Sequence, residues 1–370
     1  MRFLVVDTIY EGFLHWLYQQ REPGLAGKSF QEQYETQEKA FFHSASAWAA
    51  PLRALGHEVL DVSANNAAMQ VRWMVENGLA DELRRCADTF QFGGFQVRQQ
   101  VALGNWQRAI VAAQVRAFRP DVLLCANLYM FEDSFLDSVK GFYGKAVGQH
   151  AAPMPKTSLS RYDLIISAGP AQIQEFRARG LRCEKVALAF DERLLPHLEE
   201  RGKRYEVGFT GQLSAAHSER VRLIVELARA VPIDLWGEVA WPEGFDAASL
   251  KLTVRPPVWG LDMYQALKDC RMALNKHIDV AGPYAVNLRM YEVTGVGSLL
   301  VTDNKSDIRE YFQPDEEIVV YDDVRDGVAK IRDLMSRPED VARLAAAGQR
   351  ATLTRHSYRH RVQDLLALAA

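Results

Sequence analysis

The chain of 370 residues contains only four cysteines, and no two of them are close enough in sequence to form a CxxC pair. This spacing argues against a zinc site, and four scattered cysteines in a chain of this length argue against a disulfide scaffold. We therefore expect reduced, mostly buried thiols and a cytoplasmic protein. The four are Cys86, Cys125, Cys183 and Cys270.

The sequence also lacks long apolar runs and an excess of charge of either sign. No stretch approaches the roughly 20 apolar residues of a membrane-spanning helix, and the apolar run in MRFLVVDTIY is shorter than a signal peptide requires. Lys and Arg (44) nearly balance Asp and Glu (47), for a net charge of −3. Without a basic surplus we expect no nucleic-acid partner, whereas peripheral association with a membrane surface stays open.

Two further motifs are missing. Neither a GxGxxG fingerprint nor a P-loop is present, and no DxD-like pair follows a predicted strand in the way that would indicate Mg²⁺ or Mn²⁺. Asp322 and Asp323 do follow a strand, but they suit the start of the next helix better. We therefore expect no metal and no cofactor.

What the sequence does contain is an alternation of short β-branched runs with longer helical patterns, which predicts parallel sheets covered by helices. The predicted strands of the first half are Phe3–Val6, Glu58–Val62, Asp121–Cys125, Lys145–Gln149, Leu164–Ser167 and Lys185–Leu188, and its predicted helices are Phe30–Leu55, Phe95–Phe118 and Ala171–Arg179. The predicted strands of the second half are Tyr205–Phe209, Ile233–Trp236, Met272–Asn275, Ser298–Thr302 and Glu317–Tyr321. Its predicted helices are Ser218–Ala230, Asp262–Cys270 and Leu288–Thr294, with three more from about Val324, Pro338 and Tyr358.

The length and this double series predict an α/β protein with two doubly wound, Rossmann-like domains. The charged stretch Leu198–Arg204 fits an exposed linker between them. The expected domains are residues 1–200 and 201–356, with a terminal helix, 357–370, that packs back on the first domain. Ligands of such sheets bind beyond the carboxyl ends of the strands. The candidate site residues are therefore those that directly follow a strand.

The first such loop of the second half is VGFTGQLSAAHSER. Gly211 permits a tight turn, Gln212 follows it, and a helix begins near His217 or Ser218. A helix N-terminus attracts a diphosphate, and Arg220 in the first turn could add a charge-assisted contact. An ordinary strand–turn–helix with an exposed arginine explains this segment better when it is taken alone, because a single glycine turn is weak evidence.

The second loop is IDLWGE, where Trp236 and Gly237 stand at a strand end. The tryptophan ring could flank a nucleobase or pack in the core.

In ALNKHID, the polar residues Asn275, His277 and Asp279 come directly after a buried strand. The segment AGPY follows, and Asn287 is the expected N-cap of a helix.

On that helix Arg289 and Glu292 stand at positions i and i+3, a spacing that suits a surface salt bridge. The helix ends in TGVGS, which leads directly into the strand SLLVTD.

This region resembles the donor site of group 1 retaining glycosyltransferases (family 4-like), and within them the CgeB-like subgroup. The resemblance runs from about Tyr162 to the C-terminus. Its features are Asn287, Arg289, Glu292, the pair Gly295 and Gly297, the strand SLLVTD and the stretches IREYFQPDEEIVVYDD and AAAGQRATLTRHSYRHRVQDLL. It implies the GT-B architecture, in which two Rossmann-like domains face across a cleft. It also implies transfer of a sugar from a nucleotide-sugar donor to an acceptor hydroxyl, with retention of configuration, in surface polysaccharide or glycoconjugate synthesis.

The resemblance assigns the donor to the second domain and the acceptor side to the first. Glu292 takes the role of accepting hydrogen bonds from the donor ribose, and the helix start around Ala285–Leu288 faces the donor phosphates or sugar. The leaving-group charge is stabilised by helix N-termini, by Arg220 and by Lys276 or Arg289, without a metal. Tyr284 stands where many relatives carry a further glutamate, so the identity of the donor sugar does not carry over.

In the first half, Gln149 and His150 follow a predicted strand, which places them at the expected cleft. His150 could contact the donor sugar or the acceptor, or transfer a proton, and a structural histidine is an equally good interpretation. The segment DTIYEGFLHWLY resembles the acceptor-side loop of these enzymes, with Tyr10 and Glu11 as candidates. The expected partners are a nucleotide-sugar and a glycan or glycolipid acceptor.

Two alternatives share this donor cleft. One is a GT-B nucleotide-sugar epimerase, which would interconvert free nucleotide sugars without an acceptor. The other is a non-catalytic protein that binds nucleotide sugars or glycans, because one fold hosts many functions.

Overall fold

The computed structural model describes residues 1–42, 44–81, 105–213, 218–241, 245–277 and 282–369. The chain divides into two compact units. One comprises Met1–Val186 and Val362–Ala370, and the other comprises Ala187–Arg361.

The first unit is built on a six-stranded parallel sheet of order β2-β1-β3-β4-β5-β6. Its strands are β1 (Arg2–Asp7), β2 (Glu58–Ser63), β3 (Val122–Cys125), β4 (Lys145–Gln149), β5 (Leu164–Ser167) and β6 (Cys183–Lys185). Its helices are α1 (Glu11–His15), continued by a π-helix (Trp16–Arg21), a 3-10 turn (Leu25–Gly27), α2 (Phe30–Lys39), α3 (Ser44–Ala54), α4 (Ala67–Glu76), α5 (Asn105–Phe118), α6 (Asp133–Ser138) and α7 (Pro170–Ala178). Strands β3 and β5 are buried along their whole length, as expected for a parallel sheet with helices on both faces.

The second unit has the same architecture, with a six-stranded parallel sheet of order β12-β11-β10-β7-β8-β9. Its strands are β7 (Tyr205–Thr210), β8 (Ile233–Trp236), β9 (Leu252–Arg255), β10 (Cys270–Asn275), β11 (Leu299–Asp303) and β12 (Val319–Tyr321). Its helices are α8 (Ser218–Ala230), α9 (Gly260–Lys268), α10 (Leu288–Gly295), α11 (Val324–Met335), α12 (Pro338–Arg355) and the start of α13 (Tyr358–Ala369), with 3-10 turns at Glu192–His197, Ala247–Ser249 and Ile308–Glu310. The predicted α/β fold with two doubly wound parallel sheets is confirmed.

The chain passes between the units at Val186 and again at Arg361. The segment after Val186 belongs to the second unit because it bonds there: the Glu199 N–H donates to the Gln265 side chain at 2.8 Å. The charged stretch around Glu199 therefore lies inside this unit rather than at its boundary. From Val362 the chain rejoins the first unit, where the Lys145 ammonium donates to the Ala369 carbonyl at 2.6 Å.

Three sequence predictions need correction. The single predicted helix Phe30–Leu55 is two helices, because α2 ends at Lys39 and Phe41 adopts a positive φ of 53° that stops the helix. Strand β6 lies earlier than Lys185–Leu188, at the positions whose register pairs them with β5. Strand β9 was not predicted, because it is a half-exposed edge strand without a continuous apolar run.

Each remaining predicted strand overlaps an observed one, and Lys145–Gln149, Leu164–Ser167 and Ile233–Trp236 have the predicted ends. The part of the predicted helix Phe95–Phe118 that precedes Asn105 lies outside the described residues, as does Cys86. No helix in the described part of the chain is long and apolar enough to cross a membrane.

Candidate functional site

At the carboxyl edge of the second sheet, the loops after β7 and β8 pack backbone against backbone. The Gly211 N–H donates to the Trp236 carbonyl at 3.0 Å. A Cβ atom on Gly237 would lie 2.0 Å from the Gly211 carbonyl oxygen, so only glycine fits there. This close approach leaves the backbone of both loops without side chains in between, which is what a ligand that binds to backbone groups requires.

Helix α10 begins beside this edge, and its N-cap is Asn287 as predicted: the side-chain oxygen accepts the Arg289 N–H at 2.8 Å. The pair of Arg289 and Glu292 is not the surface salt bridge that the spacing suggested. Its nitrogen and oxygen are 2.7 Å apart, and the two side chains are only 20% and 9% exposed.

This ion pair is held by its surroundings. The Tyr264 hydroxyl donates to Oε1 of Glu292 at 3.2 Å, while Arg289 pairs with Oε2. The Arg289 guanidinium also donates to the Thr210 carbonyl at 3.4 Å, at the last residue of β7. Burial and the neighbouring Glu292 charge raise the pKa of Tyr264 well above its usual range, so the hydroxyl stays a donor. Because each carboxylate oxygen has two lone pairs, Glu292 retains capacity for ligand hydroxyls.

Asp303, the last residue of β11, is the centre of a second charged cluster. Its carboxylate accepts the Nδ1–H and the backbone N–H of His277, at 2.7 and 2.9 Å, and the Lys276 ammonium at 3.0 Å. Lys305 lies 3.4 Å from the same carboxylate. Burial acts to raise the pKa of Asp303, but the hydrogen bonds and charge of His277 and the charge of Lys276 outweigh it and hold the pKa well below its usual range. Asp303 is therefore ionised and orients both lysines.

Together these residues place three cations, Arg289, Lys276 and Lys305, beyond the carboxyl ends of β7, β10 and β11, against the two anions Glu292 and Asp303. The N-terminus of α10 adds positive potential. This group of five side chains carries one more positive than negative charge, which suits an anionic ligand such as a diphosphate.

Thr210 adds a further sign of a functional edge. Its hydroxyl is buried, and among the residues that the structure describes it has no hydrogen-bonding partner. Such unsatisfied groups are uncommon in native proteins, and they occur at functional sites.

The other predicted residues of this unit lie nearby in different roles. Asn275 is buried and donates to Thr302 at 2.9 Å, which ties β10 to β11. His277 has a fully buried side chain whose Nε2 lies 3.2 Å from the Met290 sulfur, so it positions Asp303 rather than facing a ligand. Trp236 is buried edge-to-face against Tyr205, in agreement with the core interpretation.

Gln212 is exposed at the loop after β7, Arg220 is half-buried in the first turn of α8, and Tyr284 is half-buried before α10. Asp279 and His217 lie outside the described residues.

In the first unit His150 follows β4, beside Gln149, the last residue of that strand. The ring is buried between Tyr129 and Phe176, and its Nε2–H donates to the Pro153 carbonyl at 2.9 Å. Burial lowers the pKa of His150, and this effect outweighs the backbone hydrogen bonds at Pro153 and Ala152, which act to raise it. The geometry favours a neutral histidine that anchors its loop, and a catalytic role stays a prediction.

Tyr10 and Glu11 lie where β1 passes into α1, and Tyr10 is 73% exposed. Glu11 accepts a hydrogen bond at 2.9 Å from Asn65, which follows β2. Glu11 and Asn65 line a cavity of about 460 Å³, a volume within the range of small-molecule sites.

Sequence reasoning missed several of these residues, namely Lys305, Asp303, Tyr264, Asn65 and Tyr129. Asp303 is the last residue of a strand, and Lys305, Asn65 and Tyr129 follow one; this position is the signal that could have identified them. Tyr264 lies on α9, and no local pattern links it to Glu292. Among the described residues, no group of three or more His, Cys, Asp or Glu side chains is placed to hold a metal ion.

Residues 219–367 match the model of a family described as Glycosyl transferase-like, which covers less than half of the chain. No curated protein sequence matches the chain.

Solved structures match most or all of the chain. A glycosyltransferase from Rickettsia africae superposes with a TM-score of 0.60 at 9% identity, over 100% of this chain and 97% of that one. HepE of Anabaena in complex with UDP gives a TM-score of 0.59 at 14% identity, over 100% and 99%. TarM gives 0.53 at 10% identity, over 71% of this chain and 58% of TarM. These likenesses show that the fold is the GT-B fold of glycosyltransferases.

Proposed function

We propose that this protein is a glycosyltransferase that moves a sugar from a nucleotide-sugar donor to an acceptor hydroxyl. The observation that carries the proposal is the cationic edge of the second sheet. Arg289, Lys276 and Lys305 are held there by buried carboxylates, beside the glycine contact of the β7 and β8 loops. A nucleoside diphosphate is the ligand whose charge this edge complements. The family match of residues 219–367 and the GT-B fold support the same assignment.

In this proposal each group has a defined task. The cations and the N-terminus of α10 bind the donor diphosphate and stabilise the charge that develops on the leaving group. Glu292 accepts from the ribose hydroxyls while it holds Arg289 in place. Asp303 keeps Lys276 and Lys305 at the edge. The first unit, with Tyr10 and Glu11, binds the acceptor.

We further propose retention of anomeric configuration, no requirement for a metal, and a role in surface polysaccharide or glycoconjugate synthesis. The resemblance of the α10 region to group 1 retaining enzymes supports these finer points. The anomeric proton coupling in the NMR spectrum of the product, and the rate in excess EDTA, test the first two. Inversion, or loss of activity in EDTA that Mn²⁺ restores, would contradict them.

The donor site is tested by thermal unfolding with UDP, GDP, ADP, dTDP and CMP. A nucleotide that binds only the folded protein raises its Tm according to RT ln(1 + [L]/Kd). We expect one nucleotide to stabilise the protein selectively, and HepE, which was solved with UDP, makes UDP the first to try.

Two charge-neutralising variants localise that effect. Lys276→Met removes a cation at the proposed edge and should reduce the nucleotide-induced shift severalfold. Lys251→Met removes one at the start of β9, at the opposite end of the same sheet, and should leave the shift unchanged. Equal shifts in the two variants, or no shift with any nucleotide, would contradict the assignment.

A further inference from the structure

The two exposed aromatic residues of the described chain lie on the same edge of the first sheet. Tyr10 is 73% exposed and Tyr129 is 50% exposed, whereas the other described aromatic rings are half-buried or buried. Tyr10 follows β1 and Tyr129 follows β3, and these strands are hydrogen-bonded neighbours. Ligands of such sheets bind beyond the carboxyl ends of the strands, so two exposed rings on adjacent strand ends indicate a ligand surface.

The loop that carries Tyr129 is fixed in place. Asn127 accepts the Tyr129 N–H at 3.1 Å and donates to Thr8 at 2.9 Å, which ties the loop after β3 to the loop after β1. The Tyr129 hydroxyl donates to the Pro153 carbonyl, and its ring meets His150 edge-to-face at 5.4 Å. The exposed ring is therefore held in one orientation, and a ligand that stacks on it loses little conformational entropy.

Beside Tyr10 lies the cavity of about 460 Å³, whose polar walls come from the loops after β1 and β2. Asn65 is buried, and both ends of its amide bond to the backbone of Ile9, at 2.8 and 2.7 Å. The same amide donates to Glu11 at 2.9 Å and so fixes the carboxylate at the cavity. His15 and Gln19 complete the accessible polar lining.

Behind this wall the first unit buries a chain of amides. Asn66 donates to Gln37 at 2.8 Å, Gln37 donates to Ser63 at 2.8 Å, and Gln70 donates to the Ser63 carbonyl at 3.0 Å. Gln114 donates in turn to Gln70 at 2.7 Å. Apart from the Oε1 atom of Gln114, which has no partner among the described residues, these amides are hydrogen-bonded, and such a network stiffens the groups attached to it. Asn66, which lines the cavity, is therefore held in place.

We propose that this edge binds the acceptor as a neutral oligosaccharide of at least two sugar residues, an inference that rests on the proposed transfer reaction. One sugar occupies the cavity with its hydroxyls on Glu11 and Asn65, and a neighbouring sugar stacks its C–H face on Tyr129. Fixed carboxylate and amide groups suit hydroxyls, an exposed ring supplies dispersion contacts, and the charge of Glu11 repels an anionic ligand.

The sheet order sets the minimum length of the acceptor. Asn65, Glu11 and Tyr129 follow β2, β1 and β3, which are consecutive in the sheet. Neighbouring strands lie about 4.8 Å apart, so the three loops span roughly 10 Å. A single pyranose ring does not cover that span, whereas a disaccharide does.

The test measures direct binding of glycans to the full chain in the absence of donor. An array of neutral, acidic and lipid-linked glycans identifies the best ligand. The mono-, di- and tetrasaccharides of that ligand are then titrated. We expect neutral glycans to bind and affinity to rise from mono- to disaccharide. Tyr129→Leu should weaken disaccharide binding roughly three- to tenfold and leave the monosaccharide unchanged.

Two control variants make the test specific. Tyr129→Phe keeps the ring and loses only the bond to Pro153, so it should retain disaccharide binding. Tyr143→Leu removes a half-exposed ring that precedes β4, at the opposite edge, and should have no effect. The stability of each variant is checked by its unfolding curve.

Binding of acidic or lipid-linked glycans only, binding of no glycan, or equal disaccharide affinity in wild type and Tyr129→Leu would overturn the inference. Nucleotide binding to the second unit is measured on the same samples. If the nucleotide binds and neutral glycans do not, this inference fails while the proposed function stands. If no nucleotide binds, the proposed function itself fails.

Discussion

Replacing Glu292 by glutamine removes the charge of a buried ion pair while keeping its volume and its hydrogen bond from Tyr264. In the native protein the Arg289 guanidinium lies 2.7 Å from the Glu292 carboxylate, and the other carboxylate oxygen accepts from Tyr264. The glutamine variant leaves Arg289 with a neutral partner in a site that is largely shielded from water. We expect the variant to fold and to be measurably less stable.

The size of the effect follows from the distance and the burial. Two unit charges at 2.7 Å attract by roughly 6 kcal/mol at an effective dielectric constant of about 20, and desolvation of both groups offsets most of this gain. Exposed pairs retain about 0–1 kcal/mol. With side chains 20% and 9% exposed, we expect a net coupling of about 2 kcal/mol, between the exposed and the fully buried cases.

A double-mutant cycle measures this coupling. The free energy of unfolding is determined by denaturant titration for the wild type, Glu292→Gln, Arg289→Gln and the double variant. The matched control is the cycle on Arg343 and Asp340, an i,i+3 pair at 3.2 Å whose side chains are 63% and 34% exposed, where about 0.3 kcal/mol is expected. Equal coupling energies in the two cycles would refute the assignment of Glu292 as the buried partner of Arg289.

Three further outcomes follow from the same structure. Burial lowers the pKa of His356 from 6.5 to about 4. The unfolded chain then binds the proton more readily, so stability is lost as pH falls from 6.5 to 4. His356→Gln should reduce that loss by about 3 kcal/mol, as measured by denaturant titration at pH 6.5 and at pH 4. Gly237→Ala places a methyl group against the Gly211 carbonyl and should cost about 2 kcal/mol, whereas Gly27→Ala, with no atom within 4 Å, should change the unfolding midpoint little. Thr210→Val removes an unpaired buried hydroxyl and should stabilise the protein by about 1 kcal/mol; a loss of stability would show that the hydroxyl is bonded in solution.

The features that sequence predicted well are those encoded by neighbouring residues. β-branched runs bounded by turns located most strands, because a strand buried on both faces must be apolar along its length. Asn287 was identified as an N-cap because the capping side chain and the N–H it accepts are only two positions apart.

The features that sequence could not give depend on distant residues. Arg289 and Glu292 have the same spacing whether the pair is exposed or buried, and only the packing of Tyr264 and Thr210 against it decides. His277 and Asp303 are 26 positions apart, and they meet because β10 and β11 are parallel neighbours. His150 could not be separated from a catalytic histidine by its position alone, because its burial depends on a tyrosine and a phenylalanine from other elements.

In the proposed reaction, sugar transfer takes place with the donor diphosphate held by Arg289 at the carboxyl edge of the second sheet. The most direct measurement is to incubate the protein with the nucleotide sugar selected by the thermal panel and a mixture of glycan acceptors, and to follow the products by mass spectrometry. We expect an acceptor whose mass increases by one glycosyl unit together with free nucleotide, and loss of both products in Arg289→Gln. Interconversion of the nucleotide sugar without an acceptor, or tight binding without any turnover, would contradict the proposed reaction.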